Sequence, residues 1–182
     1  NGSSNIGVKL VSVAQVKTLG TGSISVSGTA GTGTNNLGAL ITGAGTTIYS
    51  AKGRVTISTD FGEFAVADRA RVFTGGLLKI VADTVSVSLP LSSASNQNPF
   101  VLPFTATSVS IAGNLSVINS TPQMVAPIGS RFTLINNTGP SRISGFFNNI
   151  AEGTRIVIGA RKYSVTYRGG TGLNDMQIVA IP

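Results

Sequence analysis

"RVTIST", Arg54 to Thr59, alternates apolar and hydroxyl-bearing side chains, with Val55 and Ile57 on one side and Thr56 and Ser58 on the other. A period of two marks a half-buried β-strand, because successive side chains leave a pleated backbone on opposite faces. The same alternation recurs in "SISVSG" (Ser23 to Gly28), "TVSVSL" (Thr84 to Leu89), "SVSIAG" (Ser108 to Gly113), "RIVIG" (Arg155 to Gly159) and "YSVTY" (Tyr163 to Tyr167). Helical spacing is missing. "EFAVADRARVF" (Glu63 to Phe73) reads as strand through Phe64, Val66, Ala70 and Val72, with Asp68 a place where it can bend.

Glycine-rich punctuation separates these strands: "GTAGTGTNN" (Gly28 to Asn36), "TGAG" (Thr42 to Gly45), "TGG" (Thr74 to Gly76), "NNTGPS" (Asn136 to Ser141) and "RGGTGLND" (Arg168 to Asp175). Such residues supply the positive φ angles and tight corners that β-branched residues resist. Short strands broken at this frequency fit a β-sandwich or a solenoid. Two features favour the solenoid, although "TGG" and "TGAG" could also close hairpins. Ser and Thr occupy outward positions over small aliphatic residues, which suits a narrow, stacked core. Two-residue Asn-Gly and Asp-Gly hairpin turns, which antiparallel meanders favour, are scarce. The sequence therefore points to an all-β chain occupying residues 1–182 as one domain, a parallel-stacked solenoid with the β-sandwich as the open alternative.

Composition narrows the chemistry. Of 182 residues, 41% are hydrophobic, enough for a sizeable core, while only 10% are charged. There is no Cys and no His, so disulfides, thiolate metal sites and Ser-His-Asp catalysis are excluded. A formal charge of +7 gives a weak general attraction to polyanions. No stretch approaches the roughly 18 consecutive apolar residues of a transmembrane helix. The opening "NGSSNIGVKL" reads as a mature or excised product, and Asn1 to Val13 as a flexible lead into a strand.

"SSASNQNPFVLPFTATS" (Ser92 to Ser108) stands apart. Pro99 and Pro103 argue against a central strand, and Phe100, Val101, Leu102 and Phe104 are too apolar for open solvent. An ordered loop at about 92–108 covering an edge or coil end is expected, with a partner-binding loop as the alternative.

The C-terminal stretch Gly129 to Ile181 carries a Phe-Thr-Leu-Ile-Asn strand (Phe132 to Asn136), a Gly-x-Phe turn (Gly145 to Phe147), a Glu152-Gly153 corner, a Tyr-x-x-x-Tyr strand (Tyr163 to Tyr167) and a glycine-rich turn (Gly169 to Asp175). In this it resembles the closing segment of bacterial autotransporter-associated β-strand repeat proteins. Leu173 makes the last turn one residue longer than the family's pattern. Gly22 to Ile57 and Leu77 to Val87 are similar in style to coils of filamentous-haemagglutinin-type surface proteins. The resemblance implies a right-handed parallel β-helix displayed outside the cell, with adhesion or a structural stalk as its role. It carries over no catalytic residues and no named ligand.

Several residue sets are candidate sites. "GGTGLNDMQ" (Gly169 to Gln177) approximates the calcium-binding nonapeptide of β-roll repeats, so Asn174 and Asp175 are calcium candidates. The motif occurs once, and calcium takes six to eight oxygens. The competing reading is a turn in which Asn174 and Asp175 bond their own backbone and the glycines take positive φ. A phosphate loop would need Lys-Ser/Thr and a helix after the glycines, and a strand pattern follows instead. Asp60, Glu63 and Asp68 are the one place where carboxylates could pair as in a glycosidase. On an extended strand at about 3.3 Å per residue, Asp60 and Asp68 lie too far apart, and Asp60 and Glu63 point to opposite faces. Lys52, Arg54, Arg69, Arg71 and Lys79 could align as a polyanion-binding stripe if coils stack in register, or guard edge strands and keep the surface soluble. Base recognition is not expected without aromatic partners. Asn114, Asn119 and Asn136 head N-glycosylation sequons.

The functional expectation is a secreted or cell-surface, non-catalytic adhesin or structural scaffold without a cofactor. Its partners would be itself or anionic surface glycans, not a specific nucleic acid. Alternatives are a filament subunit joined by strand addition, and a β-helix protein that binds or cleaves polysaccharide.

Overall fold

The computed structural model describes residues 5–32, 36–91, 102–122 and 124–182. They form an all-β molecule whose strands join in one large, mostly parallel sheet. The strands are β1 (Ile6–Leu10), β2 (Gln15–Thr18), β3 (Ile24–Thr29), β4 (Leu37–Thr42), β5 (Thr47–Ser50), β6 (Val55–Asp60), β7 (Glu63–Ala67), β8 (Arg71–Leu89), β9 (Phe104–Asn119), β10 (Arg131–Asn137), β11 (Arg155–Ile158), β12 (Arg161–Gly169) and β13 (Asp175–Ile181). Among the described residues there is no helix long and apolar enough to cross a membrane.

Register resolves the parallel part into three ladders that the chain visits in turn. The first contains β1, β4, β7, then residues 84–87 of β8 and 114–117 of β9. The second contains β2, β5, residues 71–74 of β8, 104–106 of β9 and 135–137 of β10. The third contains β3, β6, residues 78–81 of β8 and 109–112 of β9, continued by a bridge from Ser110 to Ser144. In-register stacking puts like on like. Val16, Ile48, Val72, Phe104 and Ile135 form one apolar column of the second ladder, and Val26, Ile57, Ile80 and Ile111 one of the third. All of these but Val16 are buried, and the columns meet in a common core. Burying each such side chain contributes roughly 1.5–3 kcal/mol against the entropy of ordering the chain.

Corners explain the glycines and the hydroxyls together. Between the second and third ladders, Ser50 Oγ donates to the Gly22 carbonyl (3.1 Å), Thr74 Oγ1 to Gly53 (2.5 Å) and Thr107 Oγ1 to Gly75 (2.7 Å). Each hydroxyl thus satisfies a carbonyl that bends out of the ladder below it. The glycines let backbones approach: a Cβ on Gly75 would lie 2.0 Å from the Ala51 carbonyl oxygen. β8 and β9 turn these corners without leaving strand conformation, by register shifts between Thr74 and Leu77 and between Val81 and Thr84. The bend expected at Asp68 is present, since Asp68 and Arg69 both take positive φ (52° and 65°) and end β7 before β8 begins.

The C-terminal part departs from the wholly parallel helix expected from sequence. β10 pairs with β13, β13 with β12 and β12 with β11, all antiparallel. For the last two pairs the reason is local: the turns at Gly159-Ala160 and at 170–174 are too short for a parallel crossover. Residues 92–101 of the proline-containing loop lie outside the described residues. Its remainder is not loop: Phe104 opens β9 in a central ladder position, buried between Val72 and Ile135, with Pro103 just outside the strand, where it lends its carbonyl to Val72 N–H (2.8 Å). Asn1 to Ser4 are likewise outside the described residues, and the rest of that lead, Ile6–Leu10, pairs with β4.

Candidate functional site

The turn at 169–175 is built by hydrogen bonds to a distant strand end. Asn174 is buried and its Nδ2 donates to the Gly139 carbonyl (2.5 Å). Asp175 Oδ1 accepts the Asn137 N–H (2.8 Å). The expected bonding of both side chains to their own backbone is therefore replaced by bonds that pin the β12–β13 turn to the segment after β10. Of Gly169, Gly170 and Gly172 only Gly170 takes positive φ (70°), and the extra residue, Leu173, takes the other (53°). Burial raises the Asp175 pKa, opposed by the Asn137 N–H. Among the described residues no three acidic side chains are placed to hold a metal ion together.

The acids Asp60, Glu63 and Asp68 divide between two corners at opposite ends of β7. Asp60 closes β6 and Glu63 opens β7, whereas Asp68 follows β7 and accepts the Thr42 hydroxyl through Oδ2 (2.7 Å). Asp83 accepts the Gly62 N–H (2.9 Å) in the same manner. Asp68 and Asp83 thus join corners to neighbouring strands.

The five basic residues lie at two corners and on the second and third ladders. Lys52 and Arg54 flank the corner between the second and third ladders, and Lys79 stands beside Thr56 on the outside of the third. Arg69 sits in the corner before β8, and Arg71 stands on the second ladder opposite Thr47. Of the sequon residues, Asn119 is occupied: its Oδ1 accepts the Leu91 and Thr121 N–H groups and its Nδ2 donates to the Met124 carbonyl.

The outer side of the second ladder holds what the sequence reading missed. Lys17, Tyr49, Phe73, Thr105 and Asn136 are successive register partners, one per rung, pointing away from the apolar column. The Tyr49 and Phe73 rings stack with centroids 5.1 Å apart and planes 8° apart, and both remain partly exposed. Gln15, Lys17, Thr47, Tyr49 and Arg71 line a shallow hollow beside them. The signal was present in "TIYS" and "RVFT", two stretches with an aromatic at the third place.

Asn136, the last member of this row, also lines an open groove of about 640 Å³. Arg131 of β10 and Arg168 of β12 both border it and are exposed, and Thr133, Asp175 and Gln177 are among its polar lining. Gln177 is fixed there by donating to Thr133 Oγ1 (3.0 Å). Aromatic surface, cations and a polar groove therefore share one side of the molecule. No family model, no curated protein and no solved structure matches the chain.

Proposed function

We propose that the chain is a right-handed parallel β-helix closed by a C-terminal antiparallel cap, and that it serves at the cell surface or outside the cell as a non-catalytic scaffold or adhesin. The observation that carries this reading is the three-ladder register, which turns alternation in the sequence into continuous outer rows of Ser, Thr and a few larger side chains. Such a body is held by many repeated backbone bonds and presents a broad face. The commitment of Asp68, Asp83 and Asp175 to backbone and hydroxyl partners supports a structural use of the acids. The low charge content and the Ser/Thr/Asn/Gly exterior support an exported protein, as does the resemblance of Gly129 to Ile181 to autotransporter-associated repeats.

Beads coated with the purified chain test the reading when passed over matrix- or cell-coated surfaces, with a parallel assay for new polysaccharide ends. Retention without cleavage is expected; cleavage, or beads that never adhere, overturns it.

One observation favours the filament reading in a restricted form. Among the described residues β1, β2 and β3 each pair on one side only, with β4, β5 and β6, and Val8, Leu10, Val16 and Ile24 at that end are only partly buried. Free parallel edges are templates for strand addition. At the other end of the second ladder β10 is covered by antiparallel β13, so joining through the β1–β3 surface gives end-to-end pairs. Concentration-dependent dimers in size-exclusion chromatography fit that form, and long fibres in electron micrographs contradict it.

A further inference from the structure

We infer that the outer row of the second ladder and the adjoining groove form one linear site for an extended acidic polysaccharide, a chain carrying carboxylate or sulfate groups. This rests on the adhesin reading and names where and what it grips. Three observations combine. The row from Tyr49 through Phe73 and Thr105 to Asn136 advances by one rung at a time, so at about 4.8 Å per rung it covers roughly 14 Å before the groove begins. A ligand that touches both the rings and the groove is an oligomer, longer than one sugar unit. The cations are placed for anionic substituents: Lys17 and Arg71 flank the ring pair, and Arg131 and Arg168 stand at the groove. A guanidinium fork matches a carboxylate or sulfate with two parallel hydrogen bonds. The groove's carboxylate, Asp175, already spends Oδ1 on the Asn137 N–H and opposes such a ligand less than a free acid would.

The ring pair selects saccharide over nucleic acid. Tyr49 and Phe73 are already in van der Waals stacking at 5.1 Å, so a base cannot enter between them. Strands of bases need successive separate aromatic platforms. The pair instead offers one apolar patch against which the C–H face of a sugar ring packs, with cations on either side for its acidic groups.

Calorimetric titration of the whole chain with a polygalacturonate oligomer, a heparin-derived oligomer, a neutral glucan oligomer and oligo-thymidylate tests the site. One or both acidic glycans should bind, and the arm that binds identifies uronate or sulfate as the recognised group. The Arg131→Gln/Arg168→Gln pair should weaken that binding about tenfold or more, and Tyr49→Val/Phe73→Val about fivefold. Lys52→Gln/Arg54→Gln, on another corner, should change it less than twofold, and unchanged melting temperatures show that each variant is folded. Tighter binding of oligo-thymidylate, equal binding of neutral glucan, equal losses in the Lys52/Arg54 variant, or no binding at all overturns the site. If coated beads still adhere in that last case, the scaffold reading survives the loss of this one.

Discussion

The backbone N–H of Asn137 donates to Asp175 Oδ1 at 2.8 Å across 38 residues of sequence, fastening the final hairpin to the end of β10. Burial raises the Asp175 pKa from its ordinary 3.8, and the Asn137 N–H only opposes this. The folded chain therefore holds this proton to higher pH than the unfolded chain does. Its contribution is fully present below the ordinary value and is lost as pH rises through the folded value. Asp175→Asn keeps an acceptor for Asn137 and removes the titration. Melting curves between pH 3 and 7 should show the wild type losing stability relative to the variant as pH rises; parallel curves count against this. Added calcium should leave the melting temperature unchanged.

Gly113 takes φ of 110°, and a Cβ there would lie 1.8 Å from the Ala82 carbonyl oxygen. The corner of β9 has no room to yield, because that carbonyl belongs to the backbone of β8. Gly113→Ala combines strain with overpacking and should cost about 3 kcal/mol. A urea midpoint equal to that of wild type would show that the coils are not this close.

Much of the inward and outward pattern of the early strands was legible from residue pattern alone. Val55 and Ile57 are buried and Thr56 and Ser58 are half-exposed, as alternation requires, and Phe64, Val66, Ala70 and Val72 all enter the core. Two things were hidden. Alternation states which face a residue takes, but not whether its neighbour strand runs parallel, so the antiparallel cap was invisible. The ladders also have no fixed sequence period: Ile24 faces Val55, Val55 faces Leu78 and Leu78 faces Val109, at unequal spacings. Without a period, Tyr49 and Phe73 could not be placed side by side, nor could the basic residues be assigned to ladders, as register now does for Arg54 near Lys79 and Arg71 on the second ladder. Pro103 misled because it lies one residue before β9, where a missing N–H costs nothing to the ladder.

The hydroxyl corners make a graded prediction. Thr74 is buried and both donates to Gly53 and accepts the Gly76 N–H, whereas Thr107 is exposed and donates to Gly75 and Gly76. Thr74→Val should cost about 2–3 kcal/mol, because buried partners are left unsatisfied, and Thr107→Val about 0.5–1 kcal/mol, because water replaces it. Chemical denaturation compares the two; equal costs would remove the corner bonds from the account.

Ser130 gives the opposite sign. Its Oγ is buried and, among the described residues, makes no hydrogen bond. Ser130→Ala removes a desolvated hydroxyl and should leave stability unchanged or raise it by about 1 kcal/mol. A loss of similar size would reveal a partner for the hydroxyl.

The three-ladder register is tested most directly by cysteine pairs, which the absence of native Cys makes clean. Lys9/Leu40, Gln15/Thr47 and Ser27/Ser58 are facing residues, one pair per ladder. Neighbouring strands at about 4.8 Å bring them within the 4.4–6.8 Å Cα separation that a disulfide accepts. Mild oxidation should close each of these pairs within one chain and leave the mismatched pairs Lys9/Thr47 and Gln15/Ser58 reduced. Efficient closure of the mismatched pairs, or failure of the matched ones, contradicts the stacking on which every other conclusion depends.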